Sequence, residues 1–163
     1  MSVVLADLPG DDLNSAAHAM VALSPHGAAP TDVADPEQVH ALRDAVFAKF
    51  GKVNLLANNA ATRIGRGHDA DLSDWRRAMD VNLWGPILGV RAFLPAMLAS
   101  AEPGVIVNVG SKQGITNPPG HPIYNISKAS LKTYTEALEH ELRSKLSSTR
   151  PSCCRALTPR SIP

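Results

Sequence analysis

Residues 104–128 read GVIVNVGSKQGITNPPGHPIYNISK, and this stretch decides the fold. Val105-Ile106-Val107-Asn108-Val109 is a short, nearly continuous apolar run, the pattern of a strand buried on both faces of a parallel sheet. A loop rich in Gly and Pro follows, Gly114 to Pro122. From Tyr124 the spacing turns helical, with Leu131, Tyr134, Leu138 and Leu142 down one face as far as Arg143.

The same alternation runs upstream. Val3-Val4-Leu5-Ala6 and Val53-Asn54-Leu55-Leu56-Ala57 are further strand-like runs. Pro36 to Phe50 carries Val39, Leu42, Val46 and Phe50 at steps of three and four, with Asp35 as cap and Gly51 as stop. Trp75, Met79, Leu83, Ile87 and Val90 mark another helix. The pattern predicts parallel strands at 3–8, 53–58 and 105–110 and helices at 36–50, 73–100 and 124–143. That is an α/β fold with right-handed crossovers. Residues 1–143 form the expected domain. From Ser144 to Pro163 there is no acidic residue and no periodicity, so this tail is expected to be disordered.

Composition sets the bounds. The 163 residues carry a net charge of +1 and 44% hydrophobic residues, enough for one domain with a real core. So small a charge argues against a nucleic-acid binder. No run is expected to cross a membrane, because Asp, Asn, Arg or Pro interrupts each one. Cys153 and Cys154 are adjacent, poor geometry for a bridge and no metal spacing. With no export signal at Met1–Asp7, the expected compartment is the cytoplasm.

Tyr124 and Lys128 stand one helical turn apart and project from one face. An ammonium beside a phenol favours the phenolate, which suits a general acid/base for a hydroxyl or carbonyl substrate. Taken alone, the pair equally describes a solvated helix face. Ser111 follows the 105–109 run at the carboxyl end, where open α/β sheets place their sites, 13 residues before Tyr124. Its hydroxyl is suited to a substrate oxygen, or to capping its own loop. Gly110-Ser111-Lys112-Gln113-Gly114 lacks the glycine two residues before the serine that a nucleophile elbow requires, which excludes a serine hydrolase of that type.

Asn58-Asn59-Ala60-Ala61 after a strand, Val81-Asn82 in the next helix, Ser111, and Tyr124-Asn125-Ile126-Ser127-Lys128 together resemble the short-chain dehydrogenase/reductase superfamily in order and spacing, over about residues 3 to 143. The resemblance implies an NAD(P)-dependent oxidoreductase with an incomplete Rossmann-like sheet. In it Tyr124 is the acid/base, Ser111 a donor to the substrate oxygen, Lys128 the tuner of the tyrosine and a ribose ligand, and Asn82 the holder of a relay water. It also implies Asn59 and Ala60 against the cofactor ribose, Asp32 and Val33 against the adenine, and an alcohol or carbonyl substrate. Self-association through helices 73–100 and 124–143 follows from the same resemblance.

Asp7 ends the first apolar run, where a Rossmann-type fold places the acid that accepts from the adenosine ribose. A carboxylate there repels a 2′-phosphate, and Leu8-Pro9-Gly10 supplies no arginine, so NAD is expected in preference to NADP. Asp7 also suits a turn before Pro9-Gly10. Pro86 has no N–H to give the carbonyl of Asn82, which leaves that carbonyl for water or simply kinks the helix. Ala61 stands where the family has glycine. No glycine-rich turn precedes the run at Val3, and the family's strand order leaves a gap between the runs at Val3 and Val53. The family's last strands are also expected to be missing, so the chain reads as truncated at both ends. Three readings follow: an oxidoreductase, an inactive fragment that self-associates through its long helices, and a receiver-like signalling domain built on Asp7, Asp11, Asp12 and Lys112. The last leaves Tyr124, Lys128 and the Asn pair unexplained.

Overall fold

In the computed structural model, which describes residues 2–20, 26–100, 102–146 and 154–157, the 105–109 run is strand β4 (Gly104–Asn108). Strand β3 (Leu55–Asn58) pairs with it in parallel, Leu56 opposite Ile106. Strand β5 (Cys154–Leu157) pairs in parallel on its other side. Strand β1 (Val3–Asp7) pairs in parallel with β2 (His26–Pro30), Leu5 opposite Ala28, as a separate two-stranded sheet. Every described pairing is parallel, as expected. Among the described residues no ladder joins β1 to β3, where the sequence reading leaves its gap.

Helix α2 (Pro36–Phe50) has the expected ends. The Asp35 carboxylate accepts from the Glu37 and Gln38 N–H groups, and Gly51 closes the helix at φ 72°. Helix α6 (Pro122–Leu146) lies across the sheet. The core sits on this face, where Val39 of α2 and Leu138 and Leu142 of α6 meet Ile106 of β4 and Val90, Phe93 and Met97 of the helix between.

Several expectations need correction. The helix at 73–100 is three segments: α3 (Leu72–Met79), a π-turn (Asp80–Trp84) and α4 (Gly85–Ala99). A wider turn just before Pro86 accommodates a ring with no N–H to donate. The stretch Leu72–Ala99 is also long and apolar enough to cross a membrane by length and composition, where none was expected. Half of its most apolar window is buried, and Val90, Phe93 and Met97 supply the core, so its hydropathy serves packing. Burial on both faces holds for β4 better than for β3, which leaves Leu55 52% exposed; the core covers only the face that Leu56 presents.

Helix α1 (Asp11–Met20), β2 and the short α5 (Gln113–Thr116) were not foreseen. The β2 sequence, His-Gly-Ala-Ala-Pro, has little apolar character, and the edge of β1 organises it. The tail also departs from expectation. Helix α6 runs to Leu146, and Cys154–Leu157 takes the outer edge of β4, because an open edge offers backbone partners that a weakly patterned segment accepts. Residues 147–153 and 158–163 lie outside the described residues.

Gly114 fixes how α5 meets α6. A Cβ there would stand 2.6 Å from the Lys128 carbonyl carbon and 2.7 Å from the Ala129 nitrogen, both backbone atoms. Gly114→Ala should therefore destabilise the chain by about 1–3 kcal/mol in urea unfolding. Gly10→Ala, which meets nothing within 4 Å, should be within about 0.5 kcal/mol of neutral.

Candidate active site

The close contact at Gly114 presses the loop after β4 onto the first turns of α6. Lys128 is 2% exposed, and its Nζ donates to the Val109 carbonyl at 2.8 Å, just past the end of β4. The same ammonium lies 5.8 Å from the centroid of the half-buried Tyr124 ring. Burial pushes the Lys128 pKa below the ordinary lysine range. Ser111 Oγ accepts the Gln113 N–H at 3.2 Å, a loop cap of the kind its sequence position allows. The hydroxyl keeps its own proton to donate.

Asn82 lies in the π-turn before Pro86. Its side chain is fully buried, and three hydrogen bonds engage it: Oδ1 accepts the Thr62 N–H at 2.7 Å, while Nδ2 donates to the Thr62 carbonyl at 2.9 Å and to Ser127 Oγ at 3.0 Å. Ser127 in turn donates to the Tyr124 carbonyl at 2.9 Å. The amide therefore clamps the loop at Thr62 to Ser127, the residue that bonds the Tyr124 carbonyl.

The clamp presents a residue that the sequence reading passed over. Next to Thr62, the Arg63 guanidinium carbon lies 4.9 Å from the Tyr124 ring centroid, and Nη2 donates to Gln113 Oε1 at 3.3 Å. No spacing rule marks this arginine. A second omission is a buried chain across the sheet. Asn58 Nδ2 donates to Asn108 Oδ1 at 2.8 Å, Asn108 Nδ2 to Thr135 Oγ1 at 3.0 Å, and Thr135 to the Leu131 carbonyl at 2.7 Å. The polar Asn108 inside an apolar run was the available signal.

The cofactor candidates divide. Asp7, exposed at the end of β1, takes the Leu8 N–H at 2.7 Å on one carboxylate oxygen. Asn59 is exposed just past β3, with Ala60 half-buried beside it. Asp32 and Val33 are committed within the protein. The Asp32 carboxylate pairs with Arg77 at 2.9 Å and accepts the Ala34 N–H at 3.0 Å. Partial burial works to raise its pKa, but the Ala34 N–H and the Arg77 guanidinium outweigh it and hold the group below the usual carboxylate range. Val33 packs on Gly85, where a Cβ would approach its methyl to 2.9 Å.

A dinucleotide also needs a place for its pyrophosphate, normally a helix N-terminus free of negative charge. Helix α1 opens with Asp11 and Asp12, α2 with Asp35 and Glu37, and α3 with Asp71 and Asp74. These carboxylates stabilise their own helices and repel a phosphate. The openings of α1, α2 and α3 thus do not fit a pyrophosphate, whereas α6 has no carboxylate in its first turn. Among the described residues no group of acidic, His or Cys side chains is placed to hold a metal ion.

Parallel strands flanked by helices define the Rossmann-like class of α/β fold. The chain belongs to the short chain dehydrogenase family, whose model matches residues 1–156. It is 41% identical over 112 residues to the "Putative oxidoreductase SadH" of Mycobacterium tuberculosis, covering 68% of this chain and 40% of that one. It is 30% identical over 145 residues to the 1-deoxy-11-beta-hydroxypentalenate dehydrogenase of Streptomyces exfoliatus, covering 86% and 53%. A short chain dehydrogenase/reductase from Burkholderia phymatum, solved with NAD, superimposes with a TM-score of 0.89 at 36% identity, over 96% of this chain and 54% of that one. A metagenomic short-chain oxidoreductase solved with NADP does so with a TM-score of 0.83 at 27% identity, over 95% and 68%. The chain thus spans about half the length of the two curated relatives.

The depressed Lys128 pKa has a measurable consequence. Between that value and 10.5, the unfolded chain binds more protons at this site than the folded one, so stability rises with pH across the window. Tyr134, raised by burial and by Glu141, works in the opposite direction and is common to wild type and variant. The urea midpoint of wild type relative to Lys128→Met should therefore increase from pH 8 to 10.5. A flat difference would place Lys128 in a solvated setting.

Proposed function

We propose that this chain carries the catalytic half of an NAD-dependent alcohol/carbonyl oxidoreductase. The observation that carries the reading is the buried Lys128, held by the Val109 carbonyl at the end of β4 and 5.8 Å from the Tyr124 ring. Bound there, a nicotinamide supplies hydride exchange with the substrate carbon. The chain's own residues move the proton. Tyr124 gives its phenolic proton to a carbonyl oxygen, or takes one from an alcohol. Ser111 donates a hydrogen bond to the same oxygen. Lys128 places positive charge beside the tyrosine and offers its remaining N–H donors to a ribose. Asn82 holds Thr62 and Ser127 in place, and its backbone carbonyl, relieved by Pro86, is the candidate for a relay water. Asp7 and Asn59 complete the ribose contacts, and the carboxylate of Asp7 favours NAD over NADP.

A small alcohol or carbonyl compound is the substrate class that this proton path serves, and an intracellular coenzyme makes the cytoplasm its setting. The concave face between α4 and α6, lined by Val90, Leu94, Tyr134 and Leu138, suits pairing with a second copy.

A second reading, an inactive fragment that self-associates, is favoured by the carboxylates at the helix N-termini and by the unjoined sheets. Cofactor binding separates the cases. Losing several charge-assisted hydrogen bonds to a pyrophosphate, at about 1.5–3 kcal/mol each, weakens binding by several powers of ten. The 163-residue chain alone should show no micromolar NADH binding by calorimetry and no turnover. Micromolar binding abolished by Tyr124→Phe with Lys128→Ala would overturn this. Extending the chain at its N-terminus with a strand and glycine-rich turn from the Burkholderia relative should confer NAD-linked oxidation of secondary alcohols. Tyr124→Phe should then lower that rate by about 10²–10⁴-fold, and a rate indifferent to the substitution would remove Tyr124 from the chemistry.

A further inference from the structure

We infer that Arg63 is the specificity residue of this site and that it selects substrates bearing a carboxylate close to the reacting hydroxyl or carbonyl, as short hydroxy and keto acids do. The inference rests on the acid/base reading of Tyr124 and adds the substrate class. The geometry begins with the backbone. Asn82 holds both the N–H and the carbonyl of Thr62, at 2.7 and 2.9 Å, from a fully buried position. The next residue therefore leaves a fixed point, and its guanidinium lies 4.9 Å from the Tyr124 ring centroid.

Among the described residues the charge of Arg63 has no counter-ion. No carboxylate among them lies within ion-pair distance, as is also true of Arg66, Arg76 and Arg91; what sets Arg63 apart is its place over the Tyr124 ring. Among the described residues the Arg63 side chain makes one hydrogen bond, a long one, to the neutral Gln113 Oε1 at 3.3 Å. The side chain is exposed, so most of its five N–H donors remain for a ligand.

A guanidinium held over an aromatic face keeps its donor edge outward, and that planar fork matches a carboxylate through two parallel hydrogen bonds. Gln113 and Ser111 stand on the same loop, joined by the Gln113 N–H to Ser111 Oγ bond at 3.2 Å. With its guanidinium 4.9 Å from the Tyr124 ring, Arg63 would take the carboxylate of a short molecule whose oxygen meets Tyr124. A neutral alcohol makes only the second contact and leaves the cation uncompensated.

Equilibrium dialysis of the 163-residue chain against labelled 3-hydroxybutyrate, butyrate, 2-butanol and glycerol 3-phosphate tests this without any cofactor. Wild type should retain both acids more tightly than 2-butanol. Arg63→Gln should weaken 3-hydroxybutyrate about tenfold or more, and Arg63→Lys should recover part of the loss. The exposed side chain leaves the fold intact, as far-ultraviolet circular dichroism would verify. Equal binding by wild type and Arg63→Gln, no retention of either acid, or tighter retention of the phosphate ester would overturn the assignment. The acid/base reading is judged separately: it requires 3-hydroxybutyrate to be held more tightly than butyrate, with that preference lost in Tyr124→Phe. Loss of acid binding in Arg63→Gln with no hydroxyl preference supports Arg63 and counts against Tyr124.

Discussion

One buried amide organises the site. Asn82 sits in the π-turn between α3 and α4, and it binds the loop after β3 through Thr62 and the first turn of α6 through Ser127. A primary amide suits this position because it donates and accepts at once, so one side chain can take both backbone groups of Thr62. A carboxylate would lose the donor and a leucine both bonds, leaving two buried backbone groups without partners. Ser127 relays the constraint to the Tyr124 carbonyl. Tyr124 and Arg63 therefore share one anchor, which fixes their spacing more tightly than two loops could by packing alone.

A second buried polar chain performs the same service for the sheet. Asn58, Asn108 and Thr135 link β3, β4 and α6 beneath the site. Helix α4 comes so close that a Cβ at Gly89 would stand 2.5 Å from Asn58 Oδ1. Each member of the chain is satisfied, and the cost of leaving any of them unpaired specifies one register of the two strands over its neighbours. The carboxyl edge of β4 is thereby held where Val109 receives Lys128.

The difference between what the sequence displays and what it conceals follows from the range of the interactions. Helix α2 is legible because its cap, its stop and its apolar stripe are local. The strand at 105–109 and the Tyr124–Lys128 turn are legible for the same reason. β2 and β5 are not, since His-Gly-Ala-Ala-Pro and Cys-Arg-Ala-Leu become strands only beside an available edge. The side-chain bonds of Asn82 were not legible because their partners lie 20 and 45 residues away, and a motif states a residue's place without stating which way its side chain turns. Arg63 belongs to no pattern at all. Its significance arises from a contact across 61 residues of chain with the Tyr124 ring.

The strongest electrostatic contrast in the molecule is between the surroundings of Tyr124 and the helix openings after β1 and β2. The Tyr124 side of the site is cationic, with Lys128 and Arg63 on one aromatic ring. The other strand ends are anionic, with Asp7, Asp11 and Asp12 after β1 and Asp32 and Asp35 after β2. Among the described residues β1 and β3 each have a strand partner on one side only, yet the chain superimposes on an NAD-bound short chain dehydrogenase/reductase with a TM-score of 0.89 over 96% of its length. The two sheets therefore hold their family positions without a ladder across the interval. A segment that pairs with both edges would satisfy two rows of backbone groups. If it ended in a turn free of carboxylates, it would also bring neutral N–H donors between the anionic and cationic sides. Completing the sheet and accommodating a pyrophosphate are in this sense one requirement, and Tyr124 and Lys128 meet neither part of it by themselves.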